Sequence, residues 1–121
     1  MSIEAKTTQL VTTLLRETLE NNLNWNLRKP PNGLVQATDQ VVPLFLQTVF
    51  KKKKIGIYEA RRKHYIDDQD YTWTEKIGLC VVDDDDNVVW ESPLEYSAIL
   101  HNLYSVVREK VAGIDELFDS L

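Results

Sequence analysis

Apolar side chains at Leu10, Val11, Leu14, Leu15 and Leu19 recur at three- and four-residue intervals, with Arg16, Glu17 and Glu20 turned away from them. This is the stripe of an amphipathic helix, and it predicts one over residues 3–21. Asn21 and Asn22 tolerate the left-handed conformation that ends helices. The chain then alternates Leu23, Trp25 and Leu27 before "RKPPNG" breaks it, which predicts a short extended piece.

Residues 39–50 are less decided by their pattern. Val42, Phe45, Leu46, Val49 and Phe50 would share a helix face, but Pro43 would cost an early helical hydrogen bond, and "LFLQTVF" also reads as a strand of bulky residues. Strand is the favoured reading. "IGIYEARRKHYI" and "YTWTEKIGLCVV" are two further strand-like runs separated by "DDQD", and "NVVWE" makes another. They predict an antiparallel meander between residues 43 and 91. If its hairpin closes around Asp68 and Gln69, Tyr58 faces Leu79, Ala60 faces Ile77, Arg62 faces Glu75 and His64 faces Trp73. One face is then core, with Tyr58, Ala60, Trp73, Ile77, Leu79 and Val81. The other carries Ile55, Ile57, Cys80 and Val82, more apolar surface than a solvated face needs, so a terminal helix, a second copy or a protein partner is expected to cover it. Gly56 and Gly78 fall on opposite faces as packing or twist positions.

"SPLE" resembles a capping box, with Ser92 as N-cap, Pro93 at the first helical position and Glu95 reaching back. It predicts a helix over residues 93–112 with a stripe of Ile99, Leu100, Leu103, Val106, Val107 and Val111, ended by Gly113. "IDELFDSL" adds one or two turns. The fold class implied is α+β: a single domain over residues 1–121, with a three- to four-stranded antiparallel meander flanked by N- and C-terminal helices.

Composition changes this picture little. The 121 residues are 43% hydrophobic and 27% charged, an ordinary globular balance. No apolar run reaches the ~20 residues of a bilayer span and "MSIEAKTTQL" lacks the features of a signal peptide, so a cytoplasmic protein without membrane association is expected. One cysteine and two histidines cannot assemble a Cys/His zinc set.

Charge placement matters more. "KKKK" at 51–54 and "DDDD" at 83–86 arrive at the same end of the sheet in the predicted register, with Lys54 opposite Asp83 and Lys51 opposite Asp86. Mutual neutralisation explains both runs and makes each a poorer site for an external ion. As a calcium loop, Asp83, Asp85 and Asn87 take the first, third and fifth EF-hand positions, but Val88 stands where glycine belongs and Leu94 where the bidentate glutamate belongs. A solvated turn is the simpler reading of Asp83, Asp84, Asp85 and Asp86, and a looser calcium site is the alternative. Residues 51–64 hold seven basic side chains against one acidic, but residues 67–86 answer with eight acidic against one lysine, so no nucleic-acid partner is expected. His64 and His101 lack a nucleophile in pattern, Cys80 reads as a structural residue on the face away from the core with partial access, and the scattered glycines form no phosphate loop. No catalytic residue, cofactor or metal is expected. The lead expectation is a non-enzymatic interaction or adaptor module.

The "IYE" strand, the "DDQDYTWTE" hairpin, the Trp-Glu-x-Pro approach to a helix and the "VAGIDELFDSL" ending resemble a family of small uncharacterised proteins common in cyanobacteria. The resemblance covers the last two thirds of the chain. It implies one compact domain with helices at both ends of a meander, in a cytoplasmic setting, and no established activity.

Overall fold

The computed structural model describes residues 2–36 and 38–121. Helix α1 spans Ile3–Leu19, capped by Ser2, whose hydroxyl accepts the Ala5 amide. Asn21, at φ 61°, makes the left-handed exit expected of it. The extended piece that follows is held down by two polar contacts. Trp25 Nε1 donates to Thr18 Oγ1 at 3.0 Å, and Thr48 Oγ1 donates to the Asn24 carbonyl at 2.8 Å. Its residues Asn26–Leu27 pair with Leu46 and Gln47 as strand β1, which adds a fifth strand to the meander.

A single helical turn, α2 (Asn32–Val35), leads to β2 (Val41–Phe50), β3 (Lys53–Tyr65), β4 (Tyr71–Val82) and β5 (Val88–Glu91). The sheet is antiparallel with order β1-β2-β3-β4-β5, each strand beside its sequence neighbour. The favoured strand over residues 39–50 is therefore present. Pro43 sits at an irregularity between Val41 and Leu44, where a missing amide costs no ladder bond. The same irregularity turns Val42 to the face that Phe45 already occupies.

The β3–β4 register differs from expectation by one residue. Tyr58 faces Gly78, Ala60 faces Lys76, Arg62 faces Thr74 and His64 faces Thr72. The cause is the turn: Tyr65 pairs with Tyr71, leaving Ile66–Asp70 as a five-residue loop centred on Asp68. Asp67 organises it, its carboxylate accepting the amides of Gln69 and Asp70 at 2.8 Å each. A slip of one residue reassigns every side chain between faces. Hence Ile55, Ile57 and Leu79 share one face and Tyr58, Ala60, Cys80 and Val82 the other.

Both faces are core. The first lies under α1 and α3 (Ala98–Ala112), against Val11, Leu14, Leu100, Leu103, Tyr104 and Val107. The second lies under the α2 segment, where Leu34 covers Phe45, Tyr58, Cys80 and Val82. Ile55, Ile57, Cys80 and Val82 are thus all covered by the chain itself, and Cys80, expected to be partly accessible, is fully buried. Trp73, expected in the core, is 49% exposed.

The capping box at Ser92 is not used. The Ser92 amide donates to the Leu79 carbonyl at 2.7 Å, which keeps this residue on the sheet edge, and its hydroxyl accepts the Leu94 amide. An amide engaged by the sheet cannot also receive Glu95. Tyr96 adopts φ 53°, and α3 begins one residue after Ser97, whose hydroxyl accepts the Leu100 amide. The far end matches expectation: Gly113, at φ 65°, closes α3, and α4 spans Ile114–Asp119. Val111, placed in the buried stripe by its spacing, is 38% exposed, and Tyr104 is buried in the helix face beside it.

Gly56 and Gly78 lie on the same face rather than on opposite ones, because Gly56 pairs with Cys80 and Gly78 with Tyr58. Each forms the floor under an aromatic ring. A Cβ on Gly56 would stand 2.2 Å from Phe45 Cζ, and one on Gly78 would stand 2.3 Å from Tyr58 Cζ. The two rings stack, centroids 6.0 Å apart, so a diagonal of aromatic and glycine residues crosses three strands. Gly56→Ala and Gly78→Ala are expected to cost about 1–3 kcal/mol each by overpacking. In a Phe45→Leu background the Gly56→Ala cost should shrink and the Gly78→Ala cost should not. Urea unfolding of the singles and doubles measures this.

Candidate functional site

The two charge runs do meet at one end of the sheet, but as turns. Phe50 pairs with Lys53, so Lys51 and Lys52 form a two-residue hairpin turn with φ of 50° and 67°. That conformation suits asparagine and glycine better than lysine. Lys54 faces Val82 rather than Asp83, and among the described residues no ion pair joins the two runs. Asp83 instead serves its own turn. Its carboxylate accepts the amides of Asp85 and Asn87 and the Asn87 side-chain amide, at 2.8–3.1 Å. These bonds, with the charge of Lys54, hold its carboxyl below the ordinary 3.8. Asp86 takes φ 63° to close the turn, and the carboxylates of Asp84, Asp85 and Asp86 are exposed. Among the described residues no group of three or more carboxylate, imidazole or thiol side chains is disposed to hold a metal ion. A cleft of about 800 Å³ beside the tip has Arg28, Lys29 and Lys54 along with Asp85 and Asp86, charges of both signs facing one space.

The basic residues of 51–64 are divided by β3 itself. Lys51–Lys54 lie at its start and Arg61–Lys63 near its end, roughly 20–30 Å apart at strand rise. His64 is exposed opposite Thr72, and His101 is exposed on α3 beside a hollow of about 190 Å³ shared with Glu59, Glu75 and Tyr104. Cys80, buried beside Glu91, has its thiol pushed up to about 12, first by desolvation and then by that carboxylate. Tyr58 is shifted upward for the same two reasons, and its hydroxyl donates to Glu91 Oε1 at 3.1 Å.

The opposite end of the sheet is built differently. β2 leaves β3 after Val41 meets Arg61, and β5 accompanies β4 only as far as Cys80. Residues 62–65 and 71–74 therefore project as a two-stranded arm, and the outer edge of β4 stays open from Tyr71 to Gly78. A lone hairpin is marginal in water, so its side chains must stabilise it. On one face Lys63 pairs with Trp73 and Tyr65 with Tyr71. The Tyr71 ring lies edge-on to Trp73 at 6.0 Å and 5.8 Å from Tyr65, and Lys63 Nζ stands 4.4 Å from the Tyr71 centroid and 5.6 Å from that of Trp73. Aromatic and cation–π contacts of this kind contribute about 0.5–1 kcal/mol each at exposed sites. The other face carries Arg62, His64, Thr72 and Thr74.

The base of the arm is fixed by charge. Arg61 pairs with Glu59 at 3.3 Å and Glu75 at 3.2 Å, and Tyr104 of α3 donates to Glu59 Oε2 at 3.3 Å. Burial, and then Glu59, push the Tyr104 hydroxyl up to about 12. The arm thus leaves the body at a set angle with its aromatic face on the helix side of the sheet. Val41, Arg61, Trp73 and Glu75 border a hollow of about 360 Å³ there, and Val41, Tyr65, Ile66, Tyr71 and Trp73 are between 45% and 67% exposed. The one-residue register difference hid this surface by placing Trp73 in the core. A signal was present in the sequence: Arg62, His64, Thr72 and Thr74 leave the arm only one apolar face, so it cannot continue the two-sided core.

No protein-family model, curated protein or solved structure matches this chain. No helix among the described residues is long and apolar enough to cross a membrane.

Two outcomes are expected of the charged groups. Asp83→Ala should lower the melting temperature, because three turn donors lose their acceptor, while Asp84→Ala and Asp85→Ala should not. In the wild type this contribution is complete above pH 3.8 and is lost as pH falls through the lower folded value. At the alkaline end, Cys80 holds its proton in the folded state up to about 12 against 9.0 when exposed, so stability should decline as pH rises through that interval. Thermal melts against pH should show a shallower decline in Cys80→Ala.

Proposed function

We propose that the chain is a non-enzymatic interaction module that docks to protein through the arm formed by the ends of β3 and β4. A single observation carries the reading: Tyr65, Tyr71 and Trp73 stand about half exposed on one face of a projecting hairpin, although both faces of the main sheet are covered by the chain's own helical segments. Large exposed aromatics lose hydrophobic stabilisation unless a partner covers them, and tyrosine and tryptophan supply large contact area at low entropic cost. The face that first suggested a partner, with Ile55, Ile57, Cys80 and Val82, plays no part in this reading, because the fold already covers it. The arm combines rings with a flanking cation, Lys63, and carries backbone groups along its edges that no strand of the sheet engages. Such a surface suits an extended or flat polypeptide partner.

Site-resolved photo-cross-linking in cells tests this. A photoreactive residue at Trp73 or Tyr71 should give discrete cross-linked species, and the same residue at Val89, equally exposed on β5, should give few. Equal yields from all three positions would remove the arm as the docking surface.

A further inference from the structure

We propose that the outer edge of β4 in the arm pairs with the same edge of a second copy of this chain, antiparallel about a two-fold axis, joining two sheets into one. The inference rests on the reading of the arm as a docking surface and names its occupant.

The edges of this sheet are treated unequally. The outer edge of β2 carries β1 and receives the Arg28 amide on the Phe45 carbonyl; beyond that, Pro43 and the irregularity between Val41 and Leu44 blunt it. β5 is four residues long, with Pro93 two residues beyond it. These are ordinary protections against edge-to-edge association. Among the described residues, the outer edge of β4 from Tyr71 to Gly78 has no proline, no irregularity and no strand beside it. The Leu79 carbonyl points outward to the Ser92 amide, so by alternation the amides and carbonyls of Tyr71, Trp73, Glu75 and Ile77 also point outward.

Symmetry and charge then restrict the register. A two-fold axis perpendicular to the sheet preserves its faces and sets one residue opposite itself. Centring on Glu75 would oppose two carboxylates, and centring on Lys76 would oppose two ammonium groups. Centring on Thr74 would drive the loop of the second copy against Ser92, which already occupies the edge at Leu79. Centring on Trp73 avoids all three. Trp73 then meets Trp73 of the second copy, Tyr71 meets Glu75, Thr72 meets Thr74, and Lys76 meets Asp70 of the second copy, an opposite-charge pair that symmetry makes twice. The outward groups of Tyr71, Trp73 and Glu75 would form about six inter-chain hydrogen bonds. Centres nearer the loop shorten the paired stretch. One short strand pair makes a small interface, under about 1,200 Å², so the dimer should dissociate on dilution.

Sedimentation equilibrium from micromolar to millimolar concentration is expected to show a monomer–dimer equilibrium. Glu75→Pro removes an outward amide while sparing the β3 ladder, and should give monomer with an unchanged circular dichroism spectrum. Trp73→Cys should oxidise to an inter-chain disulfide, because opposed residues that exchange hydrogen bonds lie about 5.5 Å apart at Cα, within disulfide range. Should Glu75→Pro fail to fold, the cysteine variant carries the test alone, with Thr74→Cys as its control. A wild type that stays monomeric throughout, a dimer that persists in folded Glu75→Pro, or cross-linking of Thr74→Cys as readily as Trp73→Cys would overturn the pairing. A monomeric wild type whose Trp73 probe still captures a different protein overturns self-pairing while the arm remains a docking surface; no capture of any kind removes both.

Discussion

The pairing of β3 with β4 is the constraint on which the rest of this structure depends. Its register is set at the loop, where Asp67 gathers the amides of Gln69 and Asp70, and every later assignment of side chains to faces follows. With Tyr58 opposite Gly78, a ring lies flat on a glycine, and with Phe45 beside Tyr58 a second ring lies on Gly56. That diagonal allows a second core on the face away from the long helices, thin enough for the α2 segment and Leu34 to cover. A register one residue different would put Leu79 under Tyr58 and leave this layer no room.

Polar groups in the fold act mainly as fasteners. Trp25 on Thr18, Thr48 on Asn24 and Tyr58 on Glu91 each tie an irregular or edge segment to a regular one. Such bonds contribute about 1 kcal/mol each when made, and the buried donor costs more when left unpaired. Among the described residues no buried side-chain nitrogen or oxygen lacks a partner. The clustered acids are used in the same way: Asp67 and Asp83 each organise a turn, and their neighbours are solvated.

The arm is where this economy stops. The chain closes both faces of its central sheet and blunts one of its edges, then extends two strands past all cover with rings on one side and a free backbone on the other. The ion pairs of Arg61 with Glu59 and Glu75 at its base, and the Tyr104 contact to Glu59, hold it in a fixed direction.

Local pattern sufficed for much of the fold. The three- and four-residue spacing in α1 and α3, the left-handed exits at Asn21 and Gly113, the bulky run of β2 and the alternation of β3 and β4 were legible because each depends on neighbours within one or two turns of chain. The α+β class followed from their order. What the sequence could not determine was settled by contacts between distant residues. The count of residues in the 66–70 loop decided the register, and with it the places of Trp73, Cys80, Gly56 and Gly78. The use of the Ser92 amide by Leu79 cancelled a capping box that is sound as a local signal. The free edge of β4 exists only because β2 and β5 stop where they do, and strand ends are fixed by what packs beside them rather than by the residues along the strand.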